Sequence, residues 1–518
     1  MIFNKFIHKY YKIVIFLLLL LLLFFSYRKL ISAIPYREDT ASPVLQAQDM
    51  LQGNLLLHDW ALPPDTFWTS NIPFYLIGIV IKGSTPSLMI NMPALFYSLV
   101  IIASLLMVYI EKNKSSRSSL FYSLFIAFAI LSTPSILLLK IISPAGHLLT
   151  ILYVLISLFA LKYITLEKRG ILPAFIFFLF LALSAIGDPF ALYVLIPPII
   201  LVFLYRLIAV TKKKFSLFVI ILSLVALLAA KATIFLVNHF NGFYFSSYPA
   251  KISFVSFNDF PKNISMGIQQ LLSLFGGNFF GLPLMSLDSL EAILHLSILL
   301  FLLAVFFLSL KRWKDINLIS QIAVLTIVID FLAYFFSNQP YSDPLAARYF
   351  LPVLIYGGII TGINWRIISQ NKIIIRGIVI VGIILLFMTL PKFYLPVFQP
   401  PTYSLEQWLI RNHYRYGYSD WLGGATVITV DTLNQVKVRP IIGLYDKLIP
   451  FEWLSSKAWY RDEGEAREAN FIIFNNKKES SITQNIVVNT IGLPDKTNVI
   501  DDYTVLTWDK DITRYFKQ

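Results

Sequence analysis

The chain has 518 residues, of which 57% are hydrophobic and only 14% charged, with no cysteine and a formal net charge of +14. A soluble domain is roughly half apolar and about a quarter charged, so a wholly soluble protein is excluded. The missing cysteine excludes disulfides, thiolate metal sites and a cysteine nucleophile. The positive charge does not point to nucleic acid, because Lys and Arg gather in short connections between apolar runs, as in cytoplasmic loops.

Taken in order, the chain opens with Lys5, Lys9 and Lys12, then an apolar run from Ile13 to Phe25. The run is too long for a signal-peptide core and no small-residue cleavage site follows, so it reads as a retained first span. A mean hydropathy of +0.70 fits many further spans. About eleven are expected, each near the ~20 apolar residues that a bilayer core requires: 13–34, 87–110, 118–138, 148–166, 171–187, 189–210, 215–237, 292–310, 317–337, 348–365 and 373–391. The connections then alternate in charge. Lys112, Lys114 and Arg117; Lys168 and Arg169; Lys212, Lys213 and Lys214; Lys311, Arg312 and Lys314; and Arg366, Lys372 and Arg376 join the basic N-terminus on the cytoplasmic side. Asp39, Asp188, Asp259, Asp288 and Asp343 fall on the other side. Arg28 and Lys29 are the exception, near the outer end of the first span, where they can snorkel to headgroups or meet an anionic lipid.

Two outer segments, 35–86 and 238–291, are too long to be plain connectors. Within the first, Pro73 to Lys82 is apolar but too short to span, so it is expected to lie along the interface. The tail, 392–518, changes composition. Ser404 to Tyr414 suits a helix with Ser404 as N-cap. The runs Ala425–Val430, Val436–Ile442, Phe471–Phe474, Ile486–Val488 and Thr504–Trp508 read as strands. The expected fold is a polytopic all-α membrane bundle, residues 1–391, followed by a small soluble C-terminal α/β or α+β domain, residues 392–518.

The first outer loop is crowded with Asp39, Asp49, Asp59 and Asp65, with Trp60 and Trp68 among them. Elsewhere on the outer side stand His147 at the start of a span, Asp188 in Gly187-Asp188-Pro189, and Arg348 in Asp343-Pro344-Leu345-Ala346-Ala347-Arg348-Tyr349-Phe350. Each has an ordinary reading: a solvated loop acid for Asp39, a capping His, an Asp-Pro turn and an interfacial Arg. What raises them is a shared membrane face, since ionisable residues at span ends around one vestibule are functional candidates. No P-loop, dinucleotide fingerprint, zinc-protease motif or nucleophile elbow is present. The N-glycosylation pattern Asn263-Ile264-Ser265 is of a kind that arises easily by chance.

These residues resemble the GT-C class of polytopic glycosyltransferases, and within it the bacterial members related to protein O-mannosyltransferases and aminoarabinose transferases. Arg37-Glu38-Asp39-Thr40, then Gln48-Asp49-Met50-Leu51-Gln52-Gly53-Asn54, looks like the family's acidic first loop and the helix that ends in a Met-Leu-x-x-Gly-like turn. Asn71-Ile72-Pro73-Phe74-Tyr75 is similar to the interfacial helix that follows. Ala347-Arg348-Tyr349-Phe350-Leu351-Pro352 is similar to the late Arg-Tyr-x-x-Pro motif. Counting back from Met50-Leu51, the resemblance puts Asp39 on the catalytic Asp. The Glu that follows it in the family is Thr40 here, which weakens the case for a second carboxylate or a metal.

The resemblance implies an inverting transferase that uses a polyprenyl-phosphate-linked sugar on the outer face of a bacterial inner membrane. The N-terminus is then cytoplasmic and the C-terminal domain extracytoplasmic. A phosphate leaves without a proton, so such an enzyme needs one base and cationic support for the phosphate, not the carboxylate pair of a glycosidase. Asp39 is the expected base. Arg348, Arg37 and Arg28 are candidates for the phosphate, because the guanidinium fork binds two oxygens. Tyr349, His147, Asp188 and Asp59 complete the expected substrate-binding set. No cofactor is certain; an Asp or His pair could hold a divalent cation, Mg or Mn. Expected partners are the lipid-linked sugar, membrane lipid, and an acceptor glycan, lipid or protein. A non-catalytic scaffold or glycan-binding subunit is the alternative. A secondary transporter is less favoured, because Asp330 is the one clear acid deep within an expected span.

Overall fold

The computed structural model describes residues 2–113, 115–166, 170–209, 213–246, 252–340, 343–368, 372–461, 469–477 and 480–516. Lys114, Lys168, Arg169 and Lys212 lie outside the described residues, as do the side chains of Lys5, Lys9, Lys12 and Lys372. Eight helices among them are long and apolar enough to cross a membrane: Ile13–Ile31, Leu88–Lys112, Ala191–Ala209, Lys213–His239, Leu287–Lys311, Leu318–Phe336, Pro344–Ile367 and Ile373–Tyr394. The chain is an integral membrane protein. All eight coincide with expected spans.

One of the other three expected spans is bent: within 118–138, Arg117–Ser132 and Ile136–Ile142 meet at an angle of 81°. Pro134 offers no amide to continue the first helix. Thr133 Oγ1 donates back to the Ala129 carbonyl at 2.8 Å, and Ser135 Oγ caps the second helix by accepting the Leu138 amide at 2.9 Å. The other two are the apolar helices Leu148–Leu166 and Ile171–Gly187, with the bounds expected. The helix ending at Ala209 starts with a π-helical turn, Ala191–Leu195. Pro197 cannot donate, and the Ile196 amide reaches back five residues to the Ala191 carbonyl at 2.9 Å.

Contacts divide the chain into two compact units. One comprises Met1–Ile34, Pro93–Lys231 and Lys251–Pro396; the other comprises Pro35–Met92, Ala232–Ala250 and Val397–Gln518. The first is helical. Its Leu351–Asn364 helix is buried along nearly its whole length and meets its neighbours through glycines. A Cβ on Gly357 would sit 2.7 Å from Leu302, and one on Gly362 would sit 2.9 Å from the Ser123 carbonyl. Small residues permit such close backbone approach where water provides no drive for association. Asn263 of the glycosylation pattern is buried in this unit, its amide donating to the Phe335 and Ser337 carbonyls at 2.9 and 2.6 Å.

The second unit joins the first loop to the tail. Strands β1 (Trp60–Leu62), β2 (Tyr244–Phe245) and β6 (Ser455–Ser456) form a small sheet in the order β2-β1-β6, with β1 parallel to β2 and antiparallel to β6. The larger sheet has the order β5-β4-β3-β7-β9-β8, built from β3 (Tyr416–Asp420), β4 (Lys437–Leu444), β5 (Lys447–Pro450), β7 (Phe471–Asn475), β8 (Lys496–Ile500) and β9 (Tyr503–Thr507). β3 runs parallel to β4 and β7, and the remaining pairs are antiparallel. The C-terminal fold is therefore mixed α and β, as expected.

Its local details correct three expectations. Ala425–Val430 is not a strand but most of a buried helix, Ala425–Asp431. Parallel β3 and β4 need a crossover between them. Gly424 at φ +90° turns the chain into it. Thr429 and Thr432 satisfy their hydroxyls on the Ala425 and Ile428 carbonyls one turn back, at 3.1 and 2.7 Å. Tertiary need overrides the β-propensity of this Thr- and Val-rich run. Ile486–Val488 likewise lies in a helix, Gln484–Ile491, capped by Thr483, whose hydroxyl accepts the Ile486 amide. The helix expected from Ser404 runs Tyr403–Arg411 with Thr402, not Ser404, as N-cap residue.

Candidate functional site

Within the helical unit, three distant segments bring four of the expected residues together. Ala145 at φ +65° turns the chain so that His147 precedes the Leu148–Leu166 helix. Asp188 follows the Ile171–Gly187 helix. Its Oδ1 accepts the Phe190 amide at 2.9 Å, ordinary Asx-turn chemistry, while its Oδ2 lies 2.7 Å from His147 Nδ1 and accepts Thr150 Oγ1 at 2.8 Å. His147 and Asp188 are 2% and 1% exposed, so this is an interior pair. A carboxylate can only accept, so Nδ1 donates and Nε2 is left as the ring's second nitrogen.

The His147 ring packs 4.7 Å from Phe190 and 5.4 Å from Tyr349, and those two rings are 5.9 Å apart. Arg348 adjoins Tyr349, with Nη2 donating to the phenol at 3.3 Å and the guanidinium carbon 5.0 Å from the ring centre. Both stand on a 3₁₀ turn, Pro344–Phe350, capped by Asp343, whose Oδ1 accepts the Leu345 amide. Tyr334 lies 6.3 Å from Tyr349 and hydrogen-bonds Gln270. The arrangement sets an oriented imidazole and a guanidinium against one tyrosine, and a guanidinium is able to bind an anion such as a phosphate. Thr150, Phe190, Tyr334 and Gln270 escaped the sequence reading. Only Thr150 carried a signal, three residues after His147 and so on the same helix face.

Arg28 is exposed in the last turn of the first helix, and neighbouring Lys29 donates to the Leu395 carbonyl at 3.3 Å. Asp330 is 1% exposed on the Leu318–Phe336 helix, and its Oδ2 has no hydrogen-bond partner among the described residues.

Within the second unit, Arg37 leads into the Glu38–Leu51 helix. Thr40, where the family resemblance expects Glu, is buried and its hydroxyl accepts the Arg37 amide at 3.4 Å. The helix ends at Leu51 and the chain turns at Gly53, φ +104°. Asp39 is exposed in the first helical turn, whereas Glu38 is buried. Arg37 and Glu38 line a cavity of about 250 Å³ with Thr402 and Tyr503. Asp59 accepts both guanidinium nitrogens of Arg461, at 2.8 and 2.6 Å. Among the described residues no group of three or more His, Asp or Glu is placed to hold a metal ion, so no step is assigned to a cation.

The sequence matches no known family model and no curated protein.

Two carboxylates of the same unit, Glu406 buried and Asp431 half-buried, carry a pH dependence. Tyr36 donates to Asp431 at 2.9 Å, and Thr402 donates to Glu406 at 2.6 Å. Burial pushes Glu406 up to about 7, helped by Asp431 and opposed by the Thr402 hydrogen bond. Burial likewise raises Asp431 to about 6, opposed by the Tyr36 hydrogen bond. An acid whose folded pKa is raised binds its proton more tightly when folded, so stability falls as pH rises from the ordinary carboxylate value near ~4 through about 7. Thermal unfolding followed by tryptophan emission is expected to occur at a higher temperature at pH 5 than at pH 8. Glu406→Gln flattens that dependence. An equal pH slope in the variant would remove Glu406 as its source.

Proposed function

We propose that this chain is a membrane glycosyltransferase of GT-C type. It moves a sugar from a polyprenyl-phosphate donor to an acceptor hydroxyl on the outer face of a bacterial inner membrane, with the N-terminus cytoplasmic. The observation that supports it most is the buried His147–Asp188 pair joined through Tyr349 to Arg348. Three segments that the sequence reading had marked separately meet there, in a unit made of apolar helices.

In the proposed reaction Asp39 takes the acceptor hydroxyl proton, and the acceptor oxygen bonds to the sugar's anomeric carbon with inversion. The bond from that carbon to the phosphate oxygen breaks, and polyprenyl phosphate departs with the electron pair. Arg348 neutralises the charge that develops on the phosphate, and His147, fixed by Asp188, packs against Tyr349 beside it. Asp188 and Tyr349 hold those two groups in place.

The test is transfer from a panel of radiolabelled polyprenyl-phosphate sugars in membranes. Wild type is expected to label an acceptor from one donor, and Arg348→Ala to lose roughly 10²–10³-fold in rate. Full transfer by the variant would remove the phosphate role. No transfer from any donor by wild type would favour a scaffold.

A further inference from the structure

The segment 252–286 of the helical unit leads into the span Leu287–Lys311 and carries a helix, Phe260–Phe275, shorter than the ~20 residues a bilayer core requires. This helix rests across the ends of two spans. Ahead of it, the Val255 amide donates to the Phe336 carbonyl and the Asn338 amide to the Ser253 carbonyl, both at 2.9 Å, at the end of Leu318–Phe336. After it, Gly276 at φ +79° turns the chain, and a Cβ on Gly277 would sit 3.1 Å from the Leu296 backbone, within Leu287–Lys311. The connection 312–317 between those spans is too short to recross a hydrocarbon core about 30 Å thick. Both ends therefore lie at one membrane face. The helix buries Asn263, Gly267, Gln270, Leu271 and Leu274, one stripe at helical spacing, and exposes Lys262, Ser265 and Gln269 beside Ile268.

The flanks of the helix are apolar instead. Ile252, Phe254 and Phe257 before it, and Phe280, Leu284 and Met285 after it, are all exposed, Phe257 at 91% and Leu284 at 97%. So much large apolar surface is unfavourable in water. The spans indicate what covers it. On Leu287–Lys311 the exposed Leu290 and Ile293 belong to the lipid-facing side, and that apolar strip continues back through Leu287 into Met285 and Leu284. On Leu318–Phe336 the exposed Leu332 and Phe336 lead in the same way to Phe254, which bridges to Ser337. We infer that segment 252–286 is seated in the bilayer. Its two apolar flanks enter the acyl chains of one leaflet, and the helix between them lies in the headgroup layer with Lys262 toward water, the placement of an interfacial helix. The seat sets Gln270, which donates to the Asp343 carbonyl at 3.3 Å and accepts the Tyr334 hydroxyl, at the membrane surface. One wall of the candidate site is thus a lipid-seated element. The inference does not rest on the transferase reading.

The chain has no cysteine, so a nitroxide on one introduced thiol reports on one position. The full chain in phosphatidylcholine nanodiscs carries the label at Phe257→Cys, at Met285→Cys and, as the aqueous reference, at Lys262→Cys. All three side chains are exposed, so no packing is lost. Power saturation measures access of oxygen, which concentrates among acyl chains, and of a water-soluble nickel chelate. The ratio of oxygen to nickel access at 257 and at 285 is expected to exceed that at 262 by at least about threefold, as for side chains at the acyl boundary. A ratio at 257 or 285 no higher than at 262 overturns the inference in favour of a loop in water. Exclusion of both reagents from either label also overturns it, and points to a protein surface, such as a second copy of the chain, as the cover. Sugar transfer enters none of these outcomes, so failure here leaves the transferase reading standing, and failure of that reading leaves the membrane seat standing.

Discussion

Asp39→Asn is expected to lower sugar transfer by roughly 10²–10⁴-fold, the usual contribution of a positioned general base, with little change in unfolding temperature. The residue is exposed in the first turn of the Glu38–Leu51 helix, so no packing is lost. Among what is lost is one negative charge near a helix N-terminus, worth about 0.3–1 kcal/mol. Asn keeps the shape and can still accept a hydrogen bond, but it cannot take a proton. The neighbouring residue is the informative control. Glu38 is buried and lines the small cavity with Arg37. Glu38→Gln is expected to retain most transfer. An inactive Glu38→Gln beside an active Asp39→Asn would move the base by one residue. Rates in membranes, normalised to protein level, decide between them.

Asp188→Ala is expected to produce the largest loss of stability of any single substitution in the cluster. The carboxylate receives the Phe190 amide, the Thr150 hydroxyl and the His147 ring, and it is 1% exposed. Removing it strands those buried donors together. Leaving buried donors unsatisfied costs about 1–3 kcal/mol each, whereas Thr150→Val, which removes one hydrogen bond, costs about 1 kcal/mol. Because His147 and Asp188 share an interaction, Asp188→Ala combined with His147→Ala should cost less than the two single losses added. Thermal unfolding of the detergent-purified variants measures all four. Strict additivity would mean that the pair is not coupled, and the support it lends to the proposed phosphate site would fall with it.

The two acidic positions also show where reading a sequence stops. Asp39 was singled out by its place in a loop and by a short motif, both visible along the chain. Asp188 had two readings, turn or ligand, and no sequence feature could separate them. The structure shows the turn through one carboxylate oxygen and gives the other to His147 and Thr150.

What the sequence determined by itself is what depends on composition and near neighbours. Bilayer-length apolar runs identify the membrane class, because a lipid core demands apolar side chains and internally satisfied backbone whatever the rest of the chain does. The turn at Gly53 and the strands around Val438, Ile472 and Val505 are similarly local. Tertiary structure alone decided the rest. It paired His147 with Asp188 across 41 residues. It turned the β-branched run Ala425–Val430 into a crossover helix because β3 and β4 lie parallel. It built one compact unit from the first loop and the tail through β1 and β6. Each of these depends on partners far away in the chain, and neither propensity nor periodicity carries information over that distance.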